Sequence, residues 1–505
     1  MSDESPPSES PRSGTRQKVG LVLGPALFLL ITLVCNLDPS RPEVTRMAAA
    51  AVWIAVWWIT EPIPIPATSL LPLALFPLLG LVKGEKVAAN YMNSSIMLFL
   101  GGFLIALTLE RWNLHKRLAL NIIRVMGDNP RRLVLGFMAA TAFLSMWISN
   151  TATAMMMLPI ALAVTSRADV SAADQKFKTN FALVLMLAVA YASSIGGVGT
   201  LIGTPPNIVF SRIYAISFPD APTVSFLQWM ALGVPAAVLF LVVAWLVLVY
   251  WLVPIGKGGF AGGRELVLAE LKQLGPLSRA EKRVAGVFVL TALLWISRAT
   301  IDLGSFKIPG WSDLLGLGGL VDDGTVAITM GTLLFLLPSG TQRGERLLNW
   351  ETAKRLPWGI LLLFGGGFAL ADGFGQSGLS EWLGKRLEWF SGAPTIVMVM
   401  ATCTLLTFLT ELTSNTATTN LVLPILAALS RATGIHPLLL MIPATLSASF
   451  AFMLPVGTPP NAIVFGSGRV PITKMAAVGF VMNWIGVALV TALTLLVAVP
   501  LFGIK

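Results

Sequence analysis

Two short motifs in this chain combine the groups needed to hold small ions inside an apolar protein. Ser149-Asn150-Thr151-Ala152-Thr153 recurs as Ser414-Asn415-Thr416-Ala417-Thr418. Ser and Asn interrupt a helix and cap the start of the next one. A helix starting there points free N–H groups and a positive dipole end forward, which suits an anion. The helix that ends there leaves free carbonyl oxygens, which suit a small hard cation. Hydroxyl and amide oxygens add ligands, so one such tip can hold an anion and Na⁺ side by side. A second motif, Gly203-Thr204-Pro205-Pro206-Asn207, recurs as Gly457-Thr458-Pro459-Pro460-Asn461. Paired prolines remove two backbone donors and disrupt the helix before them. An unwound segment exposing carbonyls and Thr hydroxyls opposite each tip is expected. Val198-Gly199-Thr200 also matches Val456-Gly457-Thr458, which makes Gly199 and Thr200 the expected counterparts of Gly457 and Thr458.

No Lys or Arg lies within ten residues of Asn150 or Asn415. An anion held there must be neutralised by helix N-termini and co-bound cations, which gives a physical reason for coupling. Glu411 is the one charge near a tip, and its counterpart is Met146. Bracing of the hairpin through backbone N–H groups or a distant basic partner, cation tuning and proton carriage are all open to it. Glu61, in a Pro-rich turn, reads as structural. Cys35 and Cys403 form no disulfide framework, and His115 and His436 stand apart with no metal-ligand spacing. No nucleophile–base pair is apparent, so an enzyme is not expected.

The elements that position these motifs are membrane helices. The 505 residues are 55% hydrophobic and only 12% charged, with mean hydropathy +0.78. A soluble domain carries about 25% charged residues, so that class is excluded, along with coiled-coil and disordered chains. The apolar runs are continuous rather than alternating, which excludes an outer-membrane barrel. Eleven spans are predicted: 19–36, 45–60, 62–82, 94–110, 180–211, 226–255, 284–300, 322–338, 357–373, 436–466 and 473–503. The stretches 133–165 and 393–430 are broken midway by the Ser-Asn-Thr motifs and read as re-entrant hairpins, because broken backbone at depth survives only in protein or along a cavity.

The motifs recur in the same order at offsets of 265 and 254, so a unit is duplicated. Residues 45–255 form repeat 1 and 284–505 repeat 2. A disordered cytoplasmic tail (1–18), a first span (19–44) and a cytoplasmic linker (256–283) complete the chain. The linker carries a candidate surface helix at 264–274. With a cytoplasmic N-terminus, 24 of the 35 Lys and Arg fall inside and 11 outside, as the positive-inside rule requires. The net charge of +10 is therefore a topology signal, not a sign of nucleic-acid binding. The first hairpin then opens from the cytoplasm and the second from outside. Inverted repeats with broken helices mark secondary transporters. The expected fold is an all-α polytopic membrane protein in the inner or plasma membrane, with about eleven spans and two hairpins.

These paired motifs and the hairpin layout resemble the divalent anion/sodium symporter family, over nearly the whole chain beyond residue 18. The resemblance implies a homodimer in membrane lipid and an elevator-like movement of a transport part against a scaffold. It implies one Na⁺ among Ser145, Ser149, Asn150 and Gly199, and a second among Thr410, Thr413, Asn415 and Gly457. Substrate carboxylates would meet Asn150, Thr151, Thr200, Asn415, Thr416, Thr458 and Pro459. The function it implies is Na⁺-coupled import of a small dicarboxylate such as succinate, malate or fumarate, with no organic cofactor. A Na⁺-independent exchanger and a sulfate or citrate carrier remain as alternatives.

Overall fold

The computed structural model describes residues 14–127, 129–171, 174–256, 263–302, 307–390 and 392–504. Most of the expected tail lies outside these residues. Its last part already belongs to helix α1 (Thr15–Val34), which packs along α2 (Pro42–Thr60). α2 starts on a proline and stops at Glu61, whose φ of 53° is left-handed; the Pro-rich sequence beyond cannot continue a helix. Prolines likewise split the third predicted span into α3 (Ile65–Thr68) and α4 (Leu71–Leu78), followed by the short α5 (Gly84–Ala89).

α6 (Ser94–Arg111) is capped by Asn93, whose side chain accepts from the Ser95 and Ile96 N–H groups at 3.1 and 3.3 Å. Asn113, with φ 54°, then turns the chain into the amphipathic α7 (Leu114–Val125). The first broken stretch is α8 (Pro130–Ser145) and α9 (Asn150–Ser171), and both arms pack on α10 (Gln175–Gly197). α10 is almost wholly buried, unwinds over Val198–Thr204, and resumes as α11 (Pro205–Ser217). α12 (Phe226–Leu246) runs on through a π-helical turn at Val247–Leu252.

The linker contains α13 (Gly263–Gln273), at the place expected for a surface helix. Lys116 and Arg117 of α7 pair with Glu270 at 2.8 Å and Glu281 at 2.6 Å. The linker and the start of α14 (Arg279–Ile296) are thereby tied to α7. A two-residue β pair, Ile301–Asp302 with Lys307–Ile308, and the single turn α15 (Trp311–Leu314) lead to α16 (Asp323–Leu336). α16 lies against α6 closely enough that a Cβ on Gly101 would collide with the Ala327 backbone. After α17 (Trp350–Ala353) come α18 (Trp358–Gln376) and the amphipathic α19 (Leu379–Leu387). α19 follows Gly378, which is left-handed at φ 80°. Asn113 and Gly378 are themselves 265 residues apart, so the turn before each arm helix belongs to the duplication.

The second broken stretch is α20 (Thr395–Thr410) and α21 (Asn415–Thr433), both packed on α22 (Leu438–Ala448). α22 unwinds over Ser449–Thr458 and resumes as α23 (Pro459–Phe465); α24 (Ile472–Leu493) ends the repeat. Each of the eleven predicted spans thus contains helix. Among the described residues six helices are by themselves long and apolar enough to cross a bilayer. The others are short or interrupted, as the proline and Ser-Asn-Thr breaks require. The protein is an all-α polytopic membrane protein.

Candidate functional site

α9 and α21 each begin at the Asn of a tip motif. Ser149 and Ser414 cap them, accepting from the Ala152 and Ala417 N–H groups at 3.2 and 3.5 Å. Both helix N-termini and both unwound segments face one cavity of about 590 Å³. Ser149, Asn150 and Thr151 line it from one side, Thr413, Ser414, Asn415 and Thr416 from the other, and Gly203-Thr204-Pro205 and Gly457-Thr458-Pro459 complete the wall. Phe99 and Phe103 supply apolar surface.

Behind each tip lies a small cage of oxygens. Ser145 Oγ is 2.6 Å from Asn150 Oδ1 and 2.7 Å from the Ser193 carbonyl oxygen. Thr410 Oγ1 is 2.6 Å from Asn415 Oδ1 and 2.9 Å from the Ala448 carbonyl oxygen. A hydroxyl has one proton to donate, so it can satisfy only one of its two acceptors. Each cage therefore carries a surplus of lone pairs at contact distance. The two amides Asn207 and Asn461 repeat the theme. Asn207 Nδ2 donates to the Gly197 and Thr200 carbonyls at 3.1 and 2.7 Å, and Asn461 Nδ2 to the Ala451 and Leu454 carbonyls at 2.9 and 3.0 Å. The Oδ1 of each is buried with no partner. Buried acceptors are normally satisfied by protein, water or an ion. The same shortfall in both copies fits a cation.

The asparagine bonds also fix the correspondence between copies. Gly197, Thr200 and Asn207 match Ala451, Leu454 and Asn461 at one offset, 254, so Gly203 and Thr204 are the counterparts of Gly457 and Thr458. The similarity of Val198-Gly199-Thr200 to Val456-Gly457-Thr458 is not structural. Thr200 is fully buried; its Oγ1 donates to the Met146 carbonyl at 2.5 Å and accepts from Gly203 N–H at 3.1 Å. The Val198 and Gly199 carbonyls lie against Gly233 of α12, where a Cβ would meet them at 2.5 and 3.0 Å. Gly199 and Thr200 thus stand off the cavity wall, and Gly203 and Thr204 take their places. Ser145 and Thr410 lie in the cages, as the sequence suggests. Thr413 instead joins Thr418, its Oγ1 2.6 Å from Thr418 Oγ1. The Ser193 and Ala448 carbonyls could not be read from residue types, because any residue supplies a carbonyl.

Glu411 braces the second unwound segment. Its Oε1 accepts from the N–H groups of Phe452 and Met453 at 2.7 and 2.9 Å and from Asn483 Nδ2 at 2.8 Å; Oε2 accepts from Leu454 N–H at 3.0 Å. Four donors around one buried carboxylate make a positioning group. They belong to the segment facing the tip and to α24, not to the hairpin itself. Glu61 is more than a turn residue, since it lines the cavity with Arg16 and Gly359. Among the described residues Arg16 is the single basic residue on that wall, and its guanidinium also donates to the Ile59 carbonyl. Among the described residues no cluster of His, Cys, Asp and Glu could hold a metal; the cages are built from neutral oxygens.

Comparison with known proteins follows from this geometry. The sodium:sulfate symporter transmembrane region profile matches residues 16–504. The chain is 45% identical over 492 residues to the sodium-dependent dicarboxylate transporter SdcS of Staphylococcus saprophyticus, covering 97% of this chain and 92% of that one. It is 46% identical over 496 residues to the SdcS protein of Staphylococcus aureus, with the same coverage. Among solved structures, the YdaH transporter of Alcanivorax borkumensis superposes with a TM-score of 0.59 at 15% identity, over 90% of this chain and 98% of that one. At that identity the likeness concerns the fold alone.

Proposed function

We propose, for a chain that belongs to the sodium:sulfate symporter family, that it imports small dicarboxylates across the plasma membrane in symport with Na⁺. It is a transporter and not an enzyme, as its relatives are named. The observation that carries the reading is the duplicated oxygen cage behind two helix N-termini that share one cavity. One Na⁺ sits at Ser145 Oγ, Asn150 Oδ1 and the Ser193 carbonyl, with Ser149 and Gly203 beside it. The second sits at Thr410 Oγ1, Asn415 Oδ1 and the Ala448 carbonyl, with Gly457 beside it. The dianion lies between the tips. Asn150, Thr151, Thr204, Asn415, Thr416, Thr458 and Pro459 face its carboxylates.

Asn150 and Asn415 carry the coupling. Each turns its Oδ1 to a cation while the helix it starts presents its N-terminus to the anion. Na⁺ orients the amide and supplies the positive charge that the wall lacks beyond Arg16, so the dianion binds well only to the Na⁺-loaded form. Two Na⁺ balance a dianion. A third would make import electrogenic, at about 2.3 kcal/mol per charge per 100 mV.

Arg16, Glu61 and Gly359 line the cavity and are at least partly open to solvent, and the charge distribution supports a cytoplasmic side for them and for the N-terminus. The conformation is therefore inward-facing. Alternating access moves α8–α12 and α20–α24 as a transport part against α1–α6 and α14–α18, with α7 and α19 as arms, in a homodimer whose scaffolds meet. A thermal-shift series on the detergent-solubilised protein tests the reading, because ligands that bind only the folded state raise its melting temperature. Succinate, malate and fumarate should each raise it in Na⁺ and not in choline. A shift by sulfate or citrate alone would reassign the substrate. Equal shifts without Na⁺ would make the protein an exchanger.

A further inference from the structure

A second concave site lies apart from the central cavity, with which it shares no lining residue. It is a cleft of about 350 Å³ between the first turn of α10 and the turn that leads into α24. Lys178, Arg469 and Lys474 line it, with Gln175, Thr179 and Asn180, and no carboxylate among the described residues does. Lys178 and Lys474 make no ion pair among the described residues. Asp174, the nearest acid in sequence, caps α10 by accepting from Lys176 N–H at 2.9 Å. Two long helices begin at this cleft, and α24 has no side-chain cap on its first turn. Free N–H groups and two lysines without an ion pair among the described residues therefore converge on this cleft, beside Arg469.

The surroundings indicate what fills it. Ile472, Phe480 and Trp484 are 51%, 48% and 46% exposed. Phe480 and Trp484 are neighbours four residues apart, and Ile472 lies within about 80° of Phe480 around the helix, so an exposed apolar stripe winds along α24 from the cleft. A basic pocket continuous with an apolar outer stripe matches a ligand with an anionic head and an apolar tail. The residues 167–178 and 469–474 are also assigned to the cytoplasmic side by the charge distribution. Basic pockets at that level bind phospholipid headgroups.

We propose that this cleft binds the phosphate of an anionic phospholipid of the inner leaflet, with the acyl chains along the Ile472–Trp484 face. The chemistry recognised is a phosphate group with net negative charge, which inorganic phosphate also presents and zwitterionic phosphatidylcholine does not, and the test separates the sources. The full-length protein in neutral detergent is heated with added phosphatidylglycerol, phosphatidylcholine or inorganic phosphate, and bound lipid is counted by native mass spectrometry. Phosphatidylglycerol should raise the melting temperature and remain as a bound adduct, and phosphatidylcholine should do neither. The double variant Lys178→Gln/Lys474→Gln should need roughly thirtyfold more phosphatidylglycerol for the same shift, at about fivefold per surface cation. Lys385→Gln/Arg386→Gln, at the far end of α19, should leave the shift intact. Equal shifts by both lipids, or a full shift in the Lys178/Lys474 variant, would overturn the proposal. A shift by inorganic phosphate alone would transfer the cleft to a soluble phosphate and overturn the lipid assignment.

Discussion

Replacing Glu411 by Gln changes one oxygen to an amide and removes one charge, with almost no change in volume. Three of its four donors meet Oε1, namely Phe452 N, Met453 N and Asn483 Nδ2, and the fourth, Leu454 N, meets Oε2. A glutamine can keep its oxygen toward the three, but its NH₂ group then faces the Leu454 N–H. One charge-assisted bond is lost, worth about 1.5–3 kcal/mol, and the other three weaken because their acceptor is no longer ionised. The sum is about 2–4 kcal/mol taken from the ordered form of the segment that carries Gly457 and Thr458 to the cavity. At about 1.4 kcal/mol per factor of ten, the equilibrium between ordered and open segment moves by some thirtyfold to several hundredfold. Ligands that bind only the ordered form lose apparent affinity in proportion to its population. The assay is Na⁺-activated dicarboxylate uptake in proteoliposomes, with melting temperature as the structural control. The Na⁺ half-saturation should rise at least tenfold and the melting temperature should fall. Wild-type Na⁺ activation in Glu411→Gln would refute the bracing role. Loss of the pH dependence of uptake with Na⁺ activation unchanged would refute it too, in favour of a proton-carrying carboxyl.

Asn150→Ala and Asn415→Ala should each abolish uptake while the protein still elutes as folded oligomer on size exclusion; wild-type uptake by either removes that tip from the site. Ser145→Ala and Thr410→Val delete the hydroxyl of one cage each. Each should raise the Na⁺ half-saturation about five- to a hundredfold, from the roughly 1–3 kcal/mol of a lost partner at a buried site, with little change at saturating Na⁺. Gly203→Ala places a Cβ against the Gly197 carbonyl and should destabilise the protein by about 1–3 kcal/mol as overpacking does, read as a lower melting temperature in detergent. A cysteine at the exposed position 124, in a chain with Cys35 and Cys403 replaced by Ser, should react with an impermeant thiol reagent only from the cytoplasmic side. Labelling only from outside would invert the topology.

The elements legible in the sequence are those whose cause is local. Ser149 and Ser414 announce helix starts because a cap needs only the residues around it. Pro205-Pro206 and Pro459-Pro460 announce breaks because the missing N–H groups are their own. The duplication, the helix breaks at both tips and the linker helix follow from such signals. What escaped is non-local. Ser193 and Ala448 contribute carbonyls that no side chain marks, and they meet Ser145 and Thr410 only through the packing of α10 on α8 and of α22 on α20. A three-residue likeness points to Gly199 and Thr200, whereas the hydrogen bonds of Asn207 and Asn461 align Gly203 and Thr204 with Gly457 and Thr458. Arg16 reaches the cavity only because α1 lies along α2, a tertiary contact that no motif encodes. Asn113 and Gly378 share a left-handed turn with different side chains, so the repeat is visible there in φ and not in residue type.

The central claim is that Na⁺ loading of the two cages creates the dicarboxylate site. It is tested most directly by uptake of labelled succinate into proteoliposomes of the purified protein, with an inward Na⁺ gradient or with choline in its place. The account predicts accumulation with Na⁺, sigmoidal in Na⁺ concentration, and only leak in choline. Equal accumulation in both media would contradict it.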